Sequence, residues 1–235
     1  SGAAWAYLAS YAVAGLLGTV YLIGRTPLFN RGSGVNLKTR ELFAFSLPLV
    51  FSGIISSVYQ DIDTLLIGYF AISTDVGVYD VVYSLSKLLL VGLQAVGFIF
   101  MPVLSELHSE GDETGMRRLY QIVTKWLFSG TLPLFLVVAL FPTMTIKVTF
   151  GPEYLQAANV LSILAVAFFT HAVLGPNNHV LTSIGKTRTI LYDSIAAAIL
   201  NLALNLILIP RYGFIGAAVA TAGSYVLLNT LYSYQ

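Results

Sequence analysis

Cysteine is absent from the 235 residues, so no disulfide framework, thiolate metal site or cysteine nucleophile can be built. Charge is almost as scarce. Asp, Glu, Lys and Arg make up 10% of the chain against 57% hydrophobic residues, and the mean hydropathy is +0.80. A water-soluble fold could not cover that much apolar surface. Nucleotide-binding loops, zinc-protease helix motifs and Gly-x-Ser-x-Gly elbows are missing as well. The loops are too short to hold a soluble catalytic domain, so an enzyme would have to work with scattered intramembrane Asp, Lys and His residues. The expectation is a non-enzyme that needs no cofactor and no metal, with membrane lipids rather than nucleic acid around it.

What is present is a series of long uncharged runs. A hydrocarbon core of roughly 30 Å needs about 20 helical residues to cross it. Measured against that length, the runs predict seven transmembrane helices at Ala3–Ile23, Ser46–Phe70, Val76–Leu104, Leu119–Phe141, Tyr154–Ile184, Arg188–Ile209 and Phe214–Ser233. They are continuously apolar rather than alternating, which excludes barrel strands. Helices satisfy every backbone group within lipid, so the fold class is an all-α polytopic membrane protein. The first run is too long, and lacks the basic front, for a signal peptide. Neither end carries a polar tail, and the chain reads as a fragment of a longer protein.

The few cations orient the chain. Arg25, Arg31, Lys38 and Arg40 fall in the first loop, Arg117, Arg118 and Lys125 in or beside the third, and Lys186 and Arg188 in the fifth, whereas Lys147 and Arg211 alone mark the other side. Short loops rich in Lys and Arg stay in the cytoplasm, so the odd-numbered loops are expected there and the protein in the cell membrane. The polar stretch around Gly32 and Gly34 is the one plausible linker, placing a boundary near residue 36 between segments 1–35 and 36–235. After it, Leu37–Phe45 mixes basic and apolar residues in the manner of an interfacial segment.

Several polar residues stand inside the spans. Asp80, Lys87 and Gln94 are spaced by seven and drift only about 20° per step around a helix, forming one stripe. An ionisable group near mid-membrane faces a partner or a watery cavity. Lys87 is therefore the leading site candidate, and simple pairing with a neighbouring carboxylate is the bland alternative. Asp61 and Asp63 lie roughly 200° apart on the preceding helix, so at most one can share a face with any single partner. Spacing does not choose between them; Asp63 is the expected one because the family resemblance drawn below includes it. Pro176 should interrupt the fifth span, leaving Asn177, Asn178 and His179 to line a cavity opposite the stripe. Asn201 and Asn205 share a helix face and read as interhelical hydrogen bonders, while Gly216, Ala220 and Ser224 form a small-residue packing ridge.

Recurrent strings accompany these residues in a fixed order. They are RELFAFSLP at Arg40–Pro48, DTLLIGY at Asp63–Tyr69, VGVY at Val76–Tyr79, MPVLSEL at Met101–Leu107, FGPEY at Phe150–Tyr154, NLALN at Asn201–Asn205, IPRYG at Ile209–Gly213 and GAAVAT at Gly216–Thr221. In this the chain resembles the C-terminal half of the polysaccharide flippase branch of the multidrug/oligosaccharidyl-lipid/polysaccharide exporter superfamily, in wording closest to archaeal members. The resemblance implies a transporter of two six-helix lobes working by alternating access. Residues 36–235 would be the second lobe, and 1–35 the last helix of the first lobe with its interlobe loop. It also implies a lipid-linked oligosaccharide as cargo, moved from the cytoplasmic to the outer leaflet, with Lys87 against its phosphate. The missing N-terminal lobe and the glycan assembly enzymes would be partners. The rival is a sodium- or proton-coupled multidrug or metabolite exporter of the same fold, whose carboxylate cluster would have to come from Asp61, Asp63 and Asp80. A more distant rival is an intramembrane polyprenyl-dependent enzyme.

Because the chain has no cysteine, single cysteines at Gly32 and Thr74 report orientation without background. An impermeant maleimide added to whole cells should label position 74 and spare position 32; the reverse pattern inverts the topology.

Overall fold

A computed structural model describes residues 10, 13–18, 20, 39–70 and 73–235. Residues 10, 13–18 and 20 are helical, and they belong to a separate unit, Ser1–Thr39. The remainder of the expected first span and the glycine-bearing linker with its boundary near residue 36 lie outside the described residues. The second unit, Arg40–Gln235, is a helical bundle, and no strand occurs among the described residues.

Its helices are α1 (Thr39–Phe70), α2 (Ser73–Lys87), α3 (Val91–Glu110), α4 (Glu113–Leu140), α5 (Pro142–Thr149), α6 (Ala158–Leu174), α7 (Pro176–Ser183), α8 (Thr187–Tyr212) and α9 (Phe214–Tyr234). Short 3₁₀ turns at Leu88–Leu90 and Pro152–Ala157 join α2 to α3 and lead into α6. Among the described residues, six stretches are long and apolar enough to cross a bilayer: Phe43–Phe70, Asp75–Glu110, Glu113–Leu140, Pro152–Ser183, Thr187–Tyr212 and Phe214–Tyr234. They match the last six runs read from the sequence. The segment expected to lie at the interface is instead helical from Thr39 and runs unbroken into the span, with Pro48 inside it. The third expected span, Val76–Leu104, reaches past Leu104 to Glu110, where Gly111 ends the helix.

Turn chemistry sets the ends. Gly111 takes the left-handed conformation (φ 74°) that closes α3, and Asp112 caps α4 by accepting the Gly115 N–H at 2.8 Å. Pro176 does interrupt its span, but gently. Gly175 keeps helical angles and donates to the His171 carbonyl at 2.7 Å, so α7 restarts with the proline in its first turn, where no N–H is needed.

α6 is the hub of the bundle. Val160, Leu161, Leu164, Ala165, Phe168 and Ala172 are all buried in it, and it packs against α2, α4 and α9. A helix apolar on every side can only sit at the centre or in lipid. Large side chains such as Phe98, Trp126 and Leu65 point outward instead, as hydrocarbon solvent permits. Gly216, Ala220 and Ser224 are buried, and α9 approaches α8 so closely that a Cβ on Gly216 would lie 2.5 Å from the Leu208 carbonyl oxygen.

Gly216→Ala should therefore lower the stability of the bundle by about 1–3 kcal/mol, the usual cost of overpacking against rigid backbone. Gly130→Ala is the contrast, since a Cβ there meets nothing within 4 Å. It should be neutral or mildly stabilising in the same detergent melting experiment.

Candidate functional site

Asp63 is 1% exposed. Its carboxylate accepts hydrogen bonds from the Tyr79 hydroxyl of α2 at 2.8 Å, from the Asn205 amide of α8 at 2.6 Å and from the Thr221 hydroxyl of α9. The Asn205 amide also donates to Asn201 Oδ1 at 3.0 Å, Asn201 donates to Ser224 Oγ at 3.4 Å, and Ser224 meets the Tyr59 hydroxyl at 2.9 Å. Four helices thus converge on one carboxylate. Asn205 Oδ1 is buried there without a partner. A carboxylate oxygen that accepts several donors is held in place, each such bond contributing about 1.5–3 kcal/mol net.

The local reason lies in matched spacing. Ser52, Ser56, Tyr59 and Asp63 fall on one face of α1, and Ser194, Asn201 and Asn205 on one face of α8, since offsets of four, seven and eleven return to within about 40° on a helix. Ser52 meets Ser194 at 3.0 Å and Asp63 meets Asn205, both pairs 142 positions apart in the chain. α1 and α8 therefore run parallel and in register over those eleven residues. Between them lies an apolar groove of about 330 Å³ walled by Ile55, Val58, Ile62, Ile195, Ile199 and Leu202.

The Lys87 stripe is a separate feature. Asp80 and Gln94 are exposed and Lys87 is half-buried. Its ammonium stands 4.5 Å from the centroid of the Tyr83 ring, a cation–π contact. Among the described residues it has no carboxylate partner. The expected pairing with Asp63 is not formed, because Tyr79, Asn205 and Thr221 already occupy that carboxylate. A line of tyrosines nevertheless joins the two charges: Tyr83 stacks on Tyr79 at 5.7 Å, and Tyr79 donates to Asp63. The 3₁₀ turn that follows Lys87 is tighter than an α-helix and marks a break in the span at the level of this cation.

Asp61 is exposed on the opposite face from Asp63, as their angular separation requires. Among the described residues no three His, Asp or Glu side chains form a group able to hold a metal ion, so Asp61, Asp63 and Asp80 do not assemble into one cluster. The fifth span also differs from expectation. His179 packs edge-on to Phe100, against a gap left by Gly97 where a Cβ would come within 2.9 Å of the imidazole. Asn177 donates to Ser233 at 2.7 Å, and the backbone carbonyl of Asn178 accepts from the Thr182 hydroxyl at 2.8 Å. His179 is thus held against α3 and Asn177 against α9. His171 contacts Asn229 at 3.1 Å, 58 positions away, and makes no pair with His179.

Asn201, Asn205 and Ser224, read as packing residues, turn out to belong to the Asp63 network. Tyr59, Tyr79 and Thr221 were not anticipated at all. Hydroxyls in apolar helices can bond back to their own turn, so a lone Tyr or Thr carries little signal. The signal was the repeated four-seven-eleven spacing on α1 and α8, which is visible only when the helices are compared.

Comparison with known proteins is consistent with this geometry. Over residues 2–159 the chain matches the family described as polysaccharide biosynthesis protein. It is 28% identical over 201 residues to a probable low-salt glycan biosynthesis flippase, Agl15, of Haloferax volcanii, covering 83% of this chain and 41% of that one. It is 24% identical to the lipid II flippase MurJ of Bacillus subtilis, covering 84% and 39% respectively. The chain thus spans about two-fifths of the length of these relatives. Its fold is similar to an outward-facing multidrug resistance MATE family transporter of the MOP superfamily, with a TM-score of 0.69 at 17% identity over 83% of this chain and 44% of that one. With two thirds of its length matched to that family and six apolar helices bundled in the architecture of these transporters, the chain is a multi-pass membrane protein belonging to the polysaccharide biosynthesis protein family.

Proposed function

We propose that this chain forms the C-terminal lobe of a flippase. The whole protein would carry a polyprenyl- or dolichyl-phosphate-linked oligosaccharide from the cytoplasmic to the outer leaflet of the cell membrane by alternating access. The observation that carries the reading is Lys87, a cation in the middle of a span with no carboxylate among the described residues to neutralise it. Such a charge is costly unless it is hydrated or meets an anion. A phosphate-linked lipid supplies that anion, and Tyr83 holds the ammonium in the meantime. The relatives named as flippases support the cargo class. The missing N-terminal lobe would close the other side of the passage, and glycan assembly enzymes would deliver the substrate. No step in this reading makes or breaks a covalent bond.

The Asp63 network is the natural coupling point. Its donor set of one carboxylate, the amide oxygens of Asn201 and Asn205 and the Thr221 hydroxyl is made of hard oxygen ligands with a single negative charge, which suits a small monovalent cation rather than a divalent metal. The unpartnered Asn205 Oδ1 fits that use. A bound sodium ion or a proton would supply neutralising charge in a region of low dielectric.

Two measurements on the full-length protein test this. In proteoliposomes loaded with a fluorescent polyprenyl-phosphate sugar, Lys87→Ala should slow translocation by at least about tenfold, the effect of one lost charge-assisted contact. It should leave the melting midpoint unchanged, with Lys87→Arg retaining part of the rate. A wild-type rate in the alanine variant would sink the cargo assignment. Replacing potassium by sodium at constant ionic strength should raise the melting midpoint of the wild type and not of Asp63→Ala. A pH-dependent but sodium-independent midpoint would assign the site to a proton instead.

A further inference from the structure

The end of the bundle where α4 begins and α7 ends holds a cavity of about 220 Å³ that neither the Lys87 stripe nor the Asp63 network uses. Val180, Leu181 and Ile184 of α7 give it an apolar floor, and Arg117, Tyr120 and Asn177 line it with polar groups. None of its lining residues is acidic. Arg117 is exposed, so its guanidinium borders the opening. Asn177 is fixed in the wall by its bond to Ser233. A second cation, Lys186, is anchored beside the site by donating to the Gln235 carbonyl at 2.8 Å, and Gln235 lines the same cavity. Arg118 follows Arg117 on α4, and Arg188 lies in the first turn of α8.

We propose that this cavity binds the phosphate headgroup of an anionic membrane phospholipid, with Arg117 and Lys186 on the phosphate and the first carbons of the acyl chains along Val180 and Ile184. The chemistry argues for that occupant. A basic pocket between transmembrane helices at the membrane surface is suited to anionic headgroups. A planar guanidinium pairs two phosphate oxygens at once. The apolar floor gives nothing to a free anion, and a neutral lipid makes no use of the two cations. The volume is too small for a protein segment of any length or for a glycan. The site depends on neither the cargo nor the membrane orientation proposed above.

The test uses the full-length protein, purified and delipidated in detergent, with its thermal midpoint followed during titration. Dioleoyl phosphatidylglycerol should raise the midpoint saturably, whereas dioleoyl phosphatidylcholine and inorganic phosphate at the same concentrations should not. Arg117→Gln should weaken the phosphatidylglycerol response by about tenfold, as expected for one charge-assisted contact, and Ile184→Trp, which fills the floor, should remove it. Arg118→Gln, outside the cavity, should leave it intact. Equal responses to both lipids, or a response to phosphate alone, overturn the proposal. So does equal weakening by Arg117→Gln and Arg118→Gln, which would make the attraction a property of the whole basic surface. No arm involves transport, so failure here leaves the flippase reading standing, and failure of translocation leaves this site standing.

Discussion

A carboxylate withdrawn from water loses several kcal/mol of solvation that only hydrogen bonds, an opposite charge or a proton can restore. In this bundle the debt is concentrated at Asp63 and met by donors from α2, α8 and α9. Those bonds decide where α1 sits. An apolar groove separates much of α1 from α8, and lipid gives packed apolar helices no hydrophobic drive to associate. The polar contacts at Ser52 and Asp63 are accordingly what keep the two helices side by side and in register, while Tyr59 ties α1 to α9.

The two charged features of the interior sit on opposite sides of one helix turn of tyrosines. Lys87 lies over Tyr83, Tyr83 stacks on Tyr79, and Tyr79 holds Asp63. These residues are four apart on α2, so a rotation of that helix moves both contacts together. Direct pairing of Lys87 with Asp63 would have cancelled the two charges. Kept apart, Lys87 rests on the Tyr83 ring and Asp63 among its three donors.

Much of this was legible in the chain itself. Uncharged run length located the six spans of the bundle, because nothing but helix survives in hydrocarbon. Angular spacing puts Asp61 and Asp63 on different faces and Asn201 with Asn205, and the family resemblance points to Asp63 as the inward one. The partner of each face is harder to read. Periodicity says which way a residue points on its own helix but not which neighbour stands there, so it marks Asn205 as an interhelical hydrogen bonder without naming Asp63, 142 positions away, and it pairs Lys87 with a carboxylate that other donors hold. The fifth span was legible only in part for a related reason. Asn177 does line a cavity while bonded to Ser233 on α9, but no residue of the Lys87 stripe lines that cavity, and His179 fills the room that Gly97 leaves on α3.

The 142-residue separation between Asp63 and Asn205 also has a meaning during synthesis. Membrane helices enter the bilayer in chain order, and a carboxylate inside an inserted helix is costly until it finds a partner. Asp63 enters with α1, long before α8 and α9 exist. The first donor to reach it is Tyr79, only sixteen positions later on the next helix. Newly made α1 and α2 can therefore leave the translocon as a hairpin already joined by one hydrogen bond. The last two helices, arriving with Asn205 and Thr221, then close the bundle around a residue that has been waiting for them.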